Sequence, residues 1–162
     1  MNSHPMTADL AAVRDLVNHV VSGNFWAKEL TAGKTIDEVG DGYEGDLIGD
    51  DAPTVAKDAG RAASDAFSSP GAMEAMCAVS YGPIPGAVYC GHRIIDLVGH
   101  AWDLAVATSQ DTALPDEQVR TAIEVILPQF EMLAGSGAFG DASDPGDAVA
   151  LQTRLLSMLG RG

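Results

Sequence analysis

Positive charge is scarce in this chain. Nine lysines and arginines stand against 23 aspartates and glutamates, a formal net charge of −14 over 162 residues. A surface of that sign repels phosphate backbones, so nucleic acid is excluded as an expected partner. Cysteine is almost absent. Cys77 and Cys90 have 12 residues between them, which fits neither a CxxC pair nor a zinc ribbon. They read as two buried or half-buried thiols of a cytosolic protein; a disulfide stays open only if the flanks of an intervening turn pair. No uninterrupted apolar run approaches the roughly 20 residues that span a bilayer, so no membrane association is expected. The opening Met1-Asn-Ser-His-Pro-Met6 has neither a basic n-region nor an apolar h-region. It does not read as a secretory signal, and the expected location is cytoplasmic. Internal repeats, heptads and low-complexity tails are missing as well.

Hydrophobic residues are present in quantity, at 46% of the chain, enough for one domain over residues 1–162 with one core. The periodicity predicts an all-α fold. A first helix is expected from about Ala8 to Ala32, with Leu10, Val13, Leu16, Val17, Val20 and Val21 near a 3.6-residue repeat. Thr7 is its expected N-cap and Gly33 its stop; Gly23 and Asn24 weaken its middle and mark a place to break. Residues 33–51, rich in Gly and Asp, read as a loop of solvated turn formers, because the ordered ligand spacing of an EF-hand is missing. A second helix is expected over Pro53–Phe67, and a short helical or irregular piece over Met73–Met76. Cys77 to Gly86 reads as an extended segment and a turn, since its prolines forbid a helix. A third helix is expected over Ala87–Thr108, apolar around most of its circumference and therefore central. A fourth follows Pro115 and runs to about Ala134, kinked at Pro128. A last helix covers Asp147–Leu159.

The third helix carries the chemistry. His92, Asp96 and His100 fall at i, i+4 and i+8, one polar stripe on an apolar rod. Asp96 is costly to bury as a bare anion, so it must be paired, metal-bound or facing a cavity. Asp96 and His100 together are half of a divalent-metal site; equally, a hydrogen-bonded pair would satisfy both without an ion. His19, on the first helix, is a further potential ligand or a hydrogen-bonded surface histidine. His92 could be a fourth ligand, an acid or base facing substrate, or a solvated residue near the helix start. Asp103 could orient His100, cap a backbone group or pair with an arginine. Trp26 and Trp102 read as core or pocket-wall aromatics.

Three segments carry a resemblance to a known family: Leu16-Val-Asn-His19-Val-Val-Ser-Gly-Asn-Phe-Trp26, Tyr81-Gly-Pro-Ile-Pro-Gly86, and Asp96-Leu-Val-Gly-His100-Ala-Trp-Asp-Leu-Ala-Val-Ala-Thr108. With Ala138-Phe-Gly140 and Arg154 to Gly160, the chain resembles the DinB/YfiT-like metalloproteins. Within them it looks most like the actinobacterial proteins similar to the N-terminal domain of mycothiol-dependent maleylpyruvate isomerase. The resemblance implies an up-and-down helical bundle with irregular connecting segments around a zinc or nickel ion. It assigns the metal ligands to His19, Asp96 and His100, with Asp96 where the family commonly has Glu. A low-molecular-weight thiol is a further implied cofactor. Family members usually begin with a helix ahead of the first histidine, followed by a tryptophan where this chain has Ala11. The first helix is thus expected to be lacking. A groove left in that way would be covered by a second copy or another partner.

These readings give a metal-dependent enzyme acting on a small molecule, by thiol S-transfer, thiol-assisted isomerisation or hydrolysis, with His92 as the candidate catalytic acid or base. The alternative is a metal-binding or small-molecule-binding module without turnover. A third reading is a structural His/Asp/His core with no metal.

Overall fold

The computed structural model describes residues 6–137 and 139–161, with side chains from Leu10 onward. Ala138, within one of the segments quoted above, lies outside the described residues. The chain is mainly α-helical with two short strands. It packs as two compact units, residues 1–90 and 91–162.

In the first unit, helix α1 runs Met6–Thr31. Thr7 lies inside it and is not its N-cap. No break occurs at Gly23 or Asn24. Asn24 is buried and its amide faces Gly60, so packing overrides the weak local propensity there. The helix stops at Gly33, whose N–H returns to the Leu30 carbonyl. The Gly/Asp-rich stretch that follows is not all loop. It holds a one-turn helix, α2 (Ile36–Val39), started by a capping box. The Thr35 hydroxyl accepts from the Glu38 N–H, and the Glu38 carboxylate accepts from the Thr35 N–H.

The rest of that stretch retraces α1 along a polar stripe. Tyr43 donates its hydroxyl to Glu29 at 2.7 Å, and Ser22 donates to the Tyr43 carbonyl. Asn18 donates to Gly45 O and accepts from Leu47 N, and Arg14 reaches Asp46 and Gly49 O. Arg14, Asn18 and Ser22 are spaced at i, i+4 and i+8, one face of α1. Having returned to the start of α1, the chain enters helix α3 (Ala52–Phe67), capped by Asp51 accepting from Thr54 N. This helix runs alongside α1 in α1's own direction. Val21 packs with Ile48 and Ala59; further on, Ala27 and Leu30 pack with Ala63. Residues 68–75 are turns rather than helix, and Met76 already belongs to a strand. Strands β1 (Met76–Val79) and β2 (Gly82–Pro85) form an antiparallel hairpin with Cys77 opposite Ile84. Cys77 and Cys90 are both free thiols, and across the hairpin Cys77 faces Ile84. Helix α4 (Gly86–Ala107) begins here and contributes buried Tyr89, edge-on to Phe67 at 5.7 Å.

The second unit takes the rest of α4, whose Ile95 and Val98 face a core completed by Val119, Ala122, Ile123, Ile126, Leu155 and Met158. Helix α5 spans Asp116–Ile126, with Asp116 and Glu117 in its first turn. It packs so closely on α4 that a Cβ at Gly91 would stand 2.8 Å from a Val125 methyl. Pro128 ends α5 in a 3₁₀ turn, Leu127–Gln129, and a separate short helix α6 follows over Phe130–Gly135. The last helix, α7, begins at Leu151 and ends at Met158. Asp147, expected to open it, lies in a 3₁₀ turn at Gly146–Ala148, where it pairs with Arg154. Among the described residues, no helix is long and apolar enough to cross a membrane.

Candidate metal centre

Four polar residues of α4 fall at 93, 96, 100 and 103, so successive helical turns bring them into line. Arg93 donates from Nη1 to Asp96 Oδ2 at 2.6 Å. The other carboxylate oxygen of Asp96, Oδ1, lies 3.1 Å from His100 Nε2. On its far side, His100 Nδ1 meets Asp103 Oδ2 at 3.0 Å. Asp103 is in turn gripped by Arg161, from Nε to Oδ1 and from Nη2 to Oδ2, both at 2.6 Å. This is the forked geometry that fixes a carboxylate plane.

The end of α7 places Arg161. Gly160 takes a φ of +66°. The Gly160 N–H bonds to Ser157 O and the Arg161 N–H to Leu156 O, the two bonds of a Schellman turn. Only glycine fits there: a Cβ would come within 2.2 Å of the Phe139 carbonyl oxygen. The turn leaves the Arg161 side chain pointing at Asp103, with Nη1 also donating to Leu159 O.

The electrostatics follow. Burial works to raise the pKa of Asp103, but the bonds from Arg161 and His100 outweigh it and hold the carboxyl below its ordinary value. Asp103 is therefore an anion that accepts from Nδ1–H. Both nitrogens of His100 then face carboxylates, and the bond to Asp96 leads the influences that raise its pKa, against the opposing effect of burial. Such an imidazole is satisfied in two ways: as an imidazolium, or as a neutral ring with a cation at Nε2. For the second, the geometry fits. Two ligand atoms at about 2.1 Å from one ion, 90° to 109° apart, are separated by about 3.0–3.4 Å; Nε2 and Oδ1 are 3.1 Å apart. The backing carboxylate on Nδ1 is the support that metal-bound histidines ordinarily have.

Asp96, His100 and Asp103 are thus brought together on α4. His19, the third expected ligand, is an exposed residue of α1 in the first unit. His92 is drawn elsewhere. Its Nε2 lies 3.0 Å from Gln129 Oε1, and Gln129 uses its amide nitrogen on Val125 O. That fixes the amide's orientation and makes His92 Nε2 the protonated, donating nitrogen. Sequence reasoning missed Arg161 and Gln129 altogether. The Gly160-Arg161 pair after an amphipathic run was a readable C-cap signal, but nothing local linked it to a residue 58 positions earlier.

No protein-family profile matches the chain, and no solved structure matches it. It is similar to an uncharacterized protein of Mycobacterium tuberculosis strain H37Rv and to an uncharacterized protein of strain CDC 1551. Each is 33% identical over 122 residues, covering 73% of this chain and 63% of the relative. The chain therefore spans a little under two thirds of the length of these relatives.

Proposed function

We propose that the chain is a divalent-metal protein of the DinB/maleylpyruvate-isomerase-N-like kind, with His19, Asp96 and His100 as ligands. In this reading it is a metal-dependent enzyme acting on a small molecule by thiol S-transfer, thiol-assisted isomerisation or hydrolysis. The observation that carries the reading is the 3.1 Å edge between Asp96 Oδ1 and His100 Nε2, backed through Nδ1 by Asp103 and Arg161. Each of the three residues offers one donor atom, and two imidazoles with one carboxylate suit zinc or nickel. A bound ion supplies Lewis acidity, which lowers the pKa of a coordinated water or thiol. The protein's own groups hold and orient. Arg93 neutralises the Asp96 oxygen that faces away from Nε2, and Asp103 keeps the Nδ1 proton in place so that Nε2 presents its lone pair. A binding module without turnover is the second reading, favoured by one observation: the candidate acid or base, His92, has its Nε2 committed to Gln129.

The test is elemental analysis of tag-free protein, stripped with chelator and reloaded with zinc or nickel. Binding of one ion per chain is expected, lost in His100→Ala and Asp96→Asn. Asp103→Asn and Arg161→Met should keep the ion but weaken it by about 10–100-fold. Wild-type protein that takes up no ion, while remaining folded, overturns the reading. Metal-dependent turnover of thiols with electrophilic acceptors then separates enzyme from binding module.

A further inference from the structure

A cavity of about 300 Å³ opens in the first unit, at the hairpin. Three aromatic rings line it: Trp26 from α1, Tyr81 from the turn between β1 and β2, and Tyr89 from the first turn of α4. Leu30, Val79 and Ile36 complete its walls. The rings are held by independent means. Trp26 sits edge-on to Tyr43 at 6.2 Å, Tyr89 is buried against Phe67, and Tyr81 is carried 64% exposed on the two-residue hairpin turn. Ile36 is held by the capping box that starts α2.

The lining includes no lysine, arginine or histidine, so nothing there would pair with a carboxylate or phosphate ligand. Beyond the backbone, its lining residues carry as polar groups the Trp26 indole N–H and the Ser80 and tyrosine hydroxyls. Asp37 and Glu38 follow Ile36 directly, and Glu38 is held ionised by the Thr35 backbone and side chain. The molecule as a whole carries −14. Aromatic faces present negative charge density, and a desolvated organic cation above them gains what a neutral body of the same shape does not.

We propose that this aromatic cavity binds a small organic monocation, an alkylated ammonium with an apolar body. The acidic surface concentrates the cation, the aliphatic walls bury its methyl groups, and the three rings take the charge. A cavity of this size lies at the lower end of the range for small-molecule pockets. The inference does not depend on a metal, because neither Asp96 nor any histidine lines the cavity.

The probes are choline and its uncharged carbon isostere, 3,3-dimethylbutan-1-ol, titrated into the full chain and followed by calorimetry and by the indole N–H resonances of Trp26 and Trp102. Choline is expected to shift the Trp26 resonance and leave Trp102 in place. The isostere should bind about 5- to 30-fold more weakly. Tyr81→Ser, at a position exposed enough to leave folding intact, should weaken choline by about 3-fold or more, and Tyr81→Phe should restore it. Three results overturn the proposal: equal binding of the isostere, a choline response unaffected by Tyr81→Ser, or no choline binding at millimolar concentration.

Discussion

Tyr43 joins three kinds of interaction in one side chain. Its ring stacks on Phe25 at 5.2 Å, meets Trp26 edge-on, and its hydroxyl donates to Glu29. Burial first, and the Glu29 carboxylate second, push its pKa from 10.0 up to about 12. Glu29 moves the other way, lowered chiefly by its bond to Lys34 and then by Tyr43. For Tyr43 the folded state holds the proton more tightly than the unfolded chain. Its contribution is therefore complete below pH 10 and is lost as pH rises from 10 towards about 12. Urea unfolding across that range should show stability falling in wild type and falling less steeply in Tyr43→Phe. At neutral pH the same variant should cost about 1 kcal/mol, the usual net worth of one such bond. An alkaline limb identical in the two proteins would mean that the phenol–carboxylate bond does not form in solution. None of this was legible in the sequence, where Tyr43 is one residue of a Gly/Asp-rich run. What the sequence did disclose was the spacing of Asp96 and His100, because i and i+4 neighbours on a helix meet whatever the rest of the fold does. Asp103 was half legible: its neighbour His100 is local, but Arg161 is not.

Elements were readable where periodicity set them and unreadable where tertiary contacts did. The long helices α1 and α4 were expected within a few residues of their ends, since each repeats apolar residues over many turns. The expected break at Gly23-Asn24 failed because α3 packs against that point and rewards continuity. The capping box of α2 was missed although it has a local signal, because that helix is one turn long in a Gly/Asp-rich run that reads as loop; the last helix was expected to end at Leu159, one residue past the observed end, but its glycine cap went unread. Gly160 shows how much such a turn can hold. Replacing it with alanine forces a left-handed φ on a residue with a Cβ, at about 1 kcal/mol or more, and drives that Cβ into the Phe139 carbonyl. The variant should lose about 2–4 kcal/mol, the range of backbone strain combined with overpacking. It should also release Arg161 from Asp103. Chemical denaturation gives the first effect, and loss of the downfield His100 Nδ1–H resonance gives the second. Unchanged stability would show that the turn relaxes freely and that Arg161 is not positioned by it.

Over the whole molecule, charge is the dominant long-range force. The described ion pairs use several of its few cations: Arg14 with Asp46, Lys34 with Glu29, Arg93 with Asp96, Arg154 with Asp144 and Asp147, and Arg161 with Asp103. The exposed Arg14–Asp46 pair contributes little and salt weakens it; Arg93–Asp96 and Arg161–Asp103 are largely buried and screened less. Against them stands the mutual repulsion of the remaining carboxylates, within a net charge of −14. Salt relieves that repulsion. Raising ionic strength from about 0.01 M to about 0.15 M shortens the screening length from about 30 Å to about 8 Å. Acidic side chains on different elements then cease to feel one another, while contacts under 3 Å such as Arg161–Asp103 persist. If net repulsion outweighs the pairs, the thermal midpoint rises with sodium chloride over this range and flattens above it. Chelator-treated protein should show the same upward trend from a lower midpoint, since an ion bound only by the folded state stabilises it. A midpoint that falls with salt would reverse the balance, and would mean that the few cations of this chain stabilise it more than its excess of carboxylates strains it.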